Sequence, residues 1–262
     1  MFNLLHNFKP QPILIELGPF NIYWYGLTAL IAMLSCIFLL HYLTRKEKEV
    51  NDHLWNLFFY LIIFGLMGAR LYHVLFYNFT YFLNNLLEIV KLWNGGLAIH
   101  GAIITGIIVI YFYTKKHKLN LFKYLDLMAL VLPLGHAMGR WGNYFNQELF
   151  GLPCDKIYCI PINLINRPEM YQIFTHFHPV FLYEAILNIL FFISLFIIYR
   201  SKKYSFGIIA TIYLIGYSMI RFLMEFIRLD VTNTYLGLKW VQWLCLIIII
   251  LTVVIYKKCR KT

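Results

Sequence analysis

Pro179 to Tyr199 reads PVFLYEAILNILFFISLFIIY, 21 residues with one charged side chain, Glu184. A helix rises about 1.5 Å per residue, so about 20 such residues cross the roughly 30 Å hydrocarbon core of a bilayer. The run is apolar on every side rather than on one stripe, which suits a helix solvated by lipid. No glycine interrupts it, and its one proline stands at the start, where a helix tolerates it.

Outward from this stretch, runs of similar character occur at Asn21 to Leu43, Leu54 to Tyr77, Gly95 to Thr114, Leu121 to Trp141, Phe206 to Ile227 and Trp240 to Tyr256. The expected fold is therefore an all-α polytopic membrane protein of seven transmembrane helices, forming one integral membrane domain over residues 1–262. Composition agrees: the chain is 61% hydrophobic and 13% charged, with mean hydropathy +0.66. Soluble domains are about 45–50% apolar and about 25% charged. A net charge of +11 would raise the question of nucleic acid in a soluble protein, but here the placement of the charges decides, and no nucleic-acid partner is expected.

The loops after the odd-numbered spans hold Arg45, Lys46, Lys48, Lys115, Lys116, Lys118, Lys123, Arg200, Lys202, Lys203, Lys257, Lys258, Arg260 and Lys261. The opposite face holds Lys9, Lys91, Lys156, Arg167, Arg228 and Lys239. Cytoplasmic loops are the basic ones, which places the N-terminus outside and the C-terminus in the cytoplasm. The longest connection, from about Asn143 to His178, joins helices four and five and is expected to form a small extracytoplasmic head. Ile13 to Phe20 is expected to lie in the interface rather than to cross.

Pro10, Pro12 and Glu16 interrupt any signal-peptide core, so none is expected. Cys36, Cys154, Cys159, Cys245 and Cys259 form no CxxC or zinc spacing, and no metal or cofactor is expected. Cys154 and Cys159 share one loop and can pair if it faces an oxidising compartment; two free thiols are the expected state. Trp24, Trp93, Trp141 and Trp240 at the span ends form an aromatic belt.

Three basic residues, Arg70, Arg140 and Arg221, fall inside or at the edge of spans, where an arginine costs about 2.5–3.5 kcal/mol on insertion scales. With the orientation above, Tyr25, His100 and Glu184 near the starts of odd spans share the outer half with Arg70, Arg140, Asn143, Arg221 and Glu225 near the ends of even ones. On span six, Tyr217, Arg221, Glu225 and Arg228 follow one helical face. His136, Arg140 and Asn143 share a face of span four, with His136 expected to be a packing residue.

His100 is flanked by Gly95, Gly96 and Gly101, which bring backbone close to the imidazole. Guanidinium binds phosphate with a two-pronged fork, and the phosphate available at an outer leaflet is a phospholipid headgroup. The chain lacks HExxH, a GxGD aspartate pair, a Gly-x-Ser-x-Gly elbow and a Walker loop, which disfavours protease, serine hydrolase and ATP-driven chemistry.

The stretch Gly139-Arg140-Trp141-Gly142-Asn143-Tyr144-Phe145-Asn146-Gln147-Glu148-Leu149-Phe150-Gly151 resembles the signature of phosphatidylglycerol:prolipoprotein diacylglyceryl transferases. The resemblance continues through Trp24-Tyr25-Gly26, Gly68-Ala69-Arg70, Gly95-Gly96 with His100-Gly101, His178-Pro179 with Leu182-Tyr183-Glu184, and Arg221-Phe222 with Glu225-Phe226-Ile227-Arg228. Ala98 stands where the family usually has Ser, Tyr144 where it usually has Phe, and no Pro lies between Arg228 and Asp230.

The resemblance implies transfer of diacylglyceryl from phosphatidylglycerol to the lipobox cysteine of a prolipoprotein signal peptide, with release of glycerol phosphate, at the outer leaflet of a bacterial inner membrane. It implies catalytic roles for His100, Arg140, Arg221 and Tyr25. Substrate-binding roles fall to Arg140, Asn143, Glu148, Gly151, Arg70, Tyr217, Glu225, Arg228, Tyr183 and Glu184. A phospholipid transporter or flippase is the alternative; it predicts polar residues spread across the bilayer depth, and here they gather on one side.

Overall fold

The computed structural model describes residues 2–18, 20–92, 95–229 and 232–259. Pro19, Trp93, Asn94, Asp230, Arg260 and Lys261, each used in the sequence reading, lie outside the described residues, as do Met1, Val231 and Thr262. Helices dominate: α1 (Phe2–Asn7), α2 (Trp24–Thr44), α3 (Lys48–Phe76), α4 (Phe79–Asn84), α5 (Ile99–Lys116), α6 (Leu121–Phe145), α7 (Val180–Ser201), α8 (Ile208–Met224) and α9 (Trp240–Cys259). Three antiparallel pairs of short strands accompany them: β1 (Ile13–Leu17) with β2 (Phe20–Tyr23), β3 (Ile160–Pro161) with β4 (His176–Phe177), and β5 (Thr234–Tyr235) with β6 (Leu238–Lys239).

Among the described residues, five helices are long and apolar enough to cross a membrane: α2, α3, α6, α7 and α9. The remaining two segments read as spans are also helices, but shorter or more polar: α8 has 17 residues, and the 18 of α5 end on Lys115 and Lys116. Many large apolar side chains face outward, among them Phe38, Phe59, Phe112 and Ile197 at 59–63% exposure. Surfaces of this kind are stable against lipid, since a helix satisfies its own backbone hydrogen bonds.

Several boundaries move. Asn21 to Tyr23 belong to β2, so the first span starts at Trp24, and the segment expected in the interface is a β-hairpin. The third helix starts at Ile99 rather than Gly95, because Gly95 and Gly96 take φ of 79° and 75°, outside helical geometry. The fourth continues to Phe145, which puts Asn143 on a helix instead of in the loop.

Contacts divide the chain into two compact units, residues 1–38 with 126–262, and residues 39–125. In the first, the head is a folded core of Leu5, Tyr144, Phe150, Ile160, Ile162, Phe177, Phe181 and Leu182. The N-terminal helix α1 is docked into it: Leu5 is buried, His6 Nδ1 lies 2.9 Å from the Cys159 carbonyl, and the His6 and His176 rings stack 4.2 Å apart. Gln147, buried with its backbone at φ 53°, donates to the Pro10 carbonyl at 2.7 Å and accepts from the Asn163 amide at 2.6 Å.

The expectation of free thiols at Cys154 and Cys159 is corrected: the two form a disulfide, with Cα atoms 6.0 Å apart. The loop's own bonds bring them together. The Cys154 amide donates to the β4 carbonyl of His176, and a turn from Lys156 returns Cys159.

In the second unit, α3 and α5 pack closely where Gly68 faces Gly101. A Cβ at Gly101 would collide with the Gly68 carbonyl and the Tyr72 side chain. Small residues that let helix backbones approach are the usual adhesive of membrane helices, where lipid removes the hydrophobic drive to associate.

Candidate active site

In the first unit, Arg140 and Asn143 stand three residues apart near the end of α6, and Arg140 Nη1 donates to Asn143 Oδ1 at 3.1 Å. Gln147 and Leu149, at φ 53° and 57°, take left-handed conformations that L-residues adopt at a cost. They flank Glu148 and turn it back onto the helix. Its Oε1 accepts from Asn143 Nδ2 at 2.8 Å, and its amide donates to the Asn143 carbonyl at 3.1 Å.

Glu184, on the first turns of α7 and 2% exposed, sits among three guanidinium groups. Its carboxylate lies 2.5 Å from Arg140 Nη2, 3.9 Å from Arg221 Nη1 and 3.7 Å from Arg228 Nη1. Arg221, on α8, also meets Glu225 at 2.7 Å, and the fully buried Glu225 is 3.4 Å from Lys239 Nζ. Lys239 further donates to the Glu225 and Arg228 carbonyls at 3.1 and 2.8 Å, closing the turn after α8.

Four cations, Arg140, Arg221, Arg228 and Lys239, thus surround two buried carboxylates, and with Glu148 a third acid borders the group. Arg140 Nε is buried and makes no hydrogen bond with the described residues. A buried guanidinium donor with no partner among the described residues, within a cluster of arginines, is chemistry suited to an anion with several oxygens.

The glycines of the signature have packing roles. At Gly142 a Cβ would come 2.7 Å from Tyr25 Cδ2, so Gly142 lets the first turn of α2 lie against α6 and places Tyr25 there. Gly151 is hemmed in by His178, Val180 and the Ile227 carbonyl, and it bridges to Arg228 in an antiparallel contact. It thereby joins the head to the segment that carries Arg228. Tyr183 bonds to His178 at 3.0 Å. Tyr217 stacks on His136 at 4.5 Å, and His136 bonds to the Tyr213 hydroxyl at 2.9 Å, a packing residue as expected.

Arg70 and His100 belong to the second unit. Arg70 donates to the carbonyls of Ile89, Gly95, Gly96, Glu88 and Lys91. A guanidinium has five N–H donors, and here all five are given to carbonyls of one loop. Gly96 is the reason the loop can close: a Cβ there would lie 2.6 Å from Arg70 Nη1. His100, in the first turn of α5, is exposed, with its ring 5.7 Å from that of Tyr72.

Two residues escaped the sequence reading. Lys239 counted only as a loop charge, and nothing in its neighbourhood marks it as a partner of Glu225. Asp126 was passed over inside an apolar run; an acid within a span was the available signal.

The model of the prolipoprotein diacylglyceryl transferase family matches residues 12–257. The chain belongs to that family. A phosphatidylglycerol–prolipoprotein diacylglyceryl transferase of Parasynechococcus marenigrum (strain WH8102) is 37% identical over 227 residues, 85% of this chain and 81% of that protein. The enzyme of the same name from Streptococcus pneumoniae (strain Hungary19A-6) is 36% identical over 255 residues, covering 96% of this chain and 95% of the relative. The region matched by the family model contains every member of the Arg140–Glu184–Arg221–Glu225–Arg228–Lys239 cluster.

Proposed function

We propose that this chain transfers diacylglyceryl from phosphatidylglycerol to the cysteine thiol of a prolipoprotein lipobox. The observation that carries the reading is the largely buried arginine cluster around Glu184 and Glu225, in which Arg140 Nε has no hydrogen-bond partner among the described residues. In this reaction the thiolate sulfur attacks the primary carbon of the diacylglyceryl group. A C–S bond forms, the C–O bond to phosphate breaks, and glycerol phosphate leaves with the electron pair.

The phosphodiester carries one negative charge and the departing phosphate gains a second. A preorganised positive site stabilises that change more than it stabilises the substrate, which lowers the barrier. Arg140 and Arg221 hold the phosphate; Glu184 and Glu225 keep the two guanidinium groups aimed; Asn143 and Glu148 fix Arg140 from the other side. Tyr25 contacts lipid or arginine from the first turn of α2. The thiol, with an ordinary pKa near 8.5, must lose its proton, and His100 is assigned as its acceptor on the strength of its glycine-flanked motif.

Seven spans, with α5 and α8 crossing beside the five longer helices, give an outer N-terminus and a cytoplasmic C-terminus in a bacterial inner membrane. The basic bias of the loops after odd-numbered spans supports this orientation, and it opens the arginine cluster to the outer leaflet. A C-terminal reporter active only in the cytoplasm is the expected result, and one active only outside would reverse the orientation.

The deciding experiment incubates purified protein in detergent with phosphatidylglycerol and a synthetic lipobox peptide, followed by mass spectrometry. A diacylglyceryl mass gain on the peptide cysteine, lost in Arg140→Ala, is expected. No gain with folded wild-type protein would overturn the reading.

A further inference from the structure

Asp126 lies near the start of α6 and is 3% exposed. Its Oδ2 accepts from the Gly207 amide at 2.7 Å and its Oδ1 from the Ala210 amide at 2.8 Å. These amides open α8. Gly207 occupies the N-cap at φ 94° and has no side chain with which to cap the helix itself. The first amides of a helix lack intrahelical partners, and away from water each must find one. Asp126 supplies it from a different helix, with a separate oxygen for each amide.

The same two helices carry the arginines. Arg140 stands 14 residues after Asp126, and Arg221 stands 14 residues after Gly207. At about 1.5 Å per residue, both intervals correspond to roughly 21 Å of helix. At the far end Arg140 and Arg221 meet the one carboxylate of Glu184, at 2.5 and 3.9 Å. Between the two ends, His136 of α6 bonds to Tyr213 and stacks on Tyr217 of α8. The two helices therefore run in the same direction and are tied at three heights by side chains. Of the three ties, only the one at Asp126 grips the α8 backbone, and Pro133 breaks the regularity of α6 between it and Arg140.

The geometry points to Asp126 as a positioning residue: its carboxylate fixes the axial register of α8 against α6, so that Arg221 reaches the depth of Arg140. A slip of one residue would move Arg221 by about 1.5 Å, and misplacements of that size cost on the order of 10²-fold in rate. The inference rests on the transferase reading for its consequence in turnover, but not for its structural content.

The test uses the full-length protein with Cys36, Cys245 and Cys259 changed to serine and spin labels at Leu132→Cys on α6 and Met219→Cys on α8, both outward-facing positions. Asp126→Ala is expected to displace or broaden the interlabel distance by about 1.5 Å or more. In the unlabelled enzyme it is expected to lower kcat about 10²-fold with little change in KM for phosphatidylglycerol. Asp126→Glu, which keeps two acceptor oxygens, recovers part of both. A folded Asp126→Ala protein with the wild-type distance distribution would overturn the inference, whatever its activity. If that variant does not fold, the near-isosteric Asp126→Asn is measured instead, and an unchanged distribution there overturns it equally. Were the wild type to show no transferase activity, the distance measurement would still decide the matter of register.

Discussion

Arg70 and Arg140 look alike in the sequence: each is a lone arginine at the end of an even-numbered span, preceded by glycine within two residues. Their surroundings differ completely. Arg70 places all five donors on carbonyls of residues 88–96 and functions as a clamp for the loop before α5. Arg140 is paired with Glu184 and Asn143, has a buried Nε with no hydrogen-bond partner among the described residues, and belongs to a cluster of arginines around two carboxylates. Depth in the membrane identifies an arginine that needs a reason to be there. Its partners, carbonyl or carboxylate, decide whether that reason is architecture or chemistry.

The contrast is sharpest under substitution. Arg140→Ala is expected to cut turnover by about 10²–10³-fold, the usual effect of removing one preorganised donor to developing charge, while the protein remains folded by thermal-shift assay. Arg70→Ala should do the reverse: five carbonyls of the loop lose the one side chain that gathers them, and hydrogen bonds to a charged group are worth about 1.5–3 kcal/mol each. The expected result is a lowered Tm and new proteolytic cleavage between Leu86 and Gly96, with a smaller loss of turnover than in Arg140→Ala. Equal loss of turnover with an intact loop would erase the distinction.

Glu184→Gln tests the cluster from the acid side. Removing one partner of a buried ion pair costs about 3–5 kcal/mol, and here three guanidinium groups lose their shared carboxylate, so a fall in Tm and a loss of turnover should appear together. A subtler effect is expected from product: glycerol phosphate at about 100 times its Kd should stabilise the wild type by about 2.7 kcal/mol. Arg221→Ala should show little of that gain, and Arg70→Lys, if folded, most of it. The smallest change is expected at the head: Cys154→Ser with Cys159→Ser removes a cross-link over a short loop, worth about 2 kcal/mol, readable as a Tm shift that reductant reproduces.

Much of this architecture was legible in the sequence. The apolar runs announced every long helix, since a length near 20 residues without charge has few other uses. The i, i+4 spacing of Arg221 and Glu225 put them on one helical face, and there they pair. What stayed hidden depends on contacts between residues far apart in sequence. Arg70 commits to a loop some 20 residues on, and no local pattern distinguishes that from a ligand site. Gly151 looks like a ligand-approach glycine until His178 and Ile227 are seen against it. Cys154 and Cys159 pair because β4 and a turn at Lys156 bring them together, and Asn21 to Tyr23 extend as a strand because Ile13 to Leu17 lie beside them to accept their bonds.

The docked α1 has a practical corollary for anyone handling the protein. Leu5 is 4% exposed among the aromatic residues of the head, and Pro10 is held by Gln147. Anything that dislodges α1 would therefore pull, through Gln147, on the turn that presents Glu148 to Asn143, and a preparation in which this helix is loosened would lose turnover with its arginines untouched.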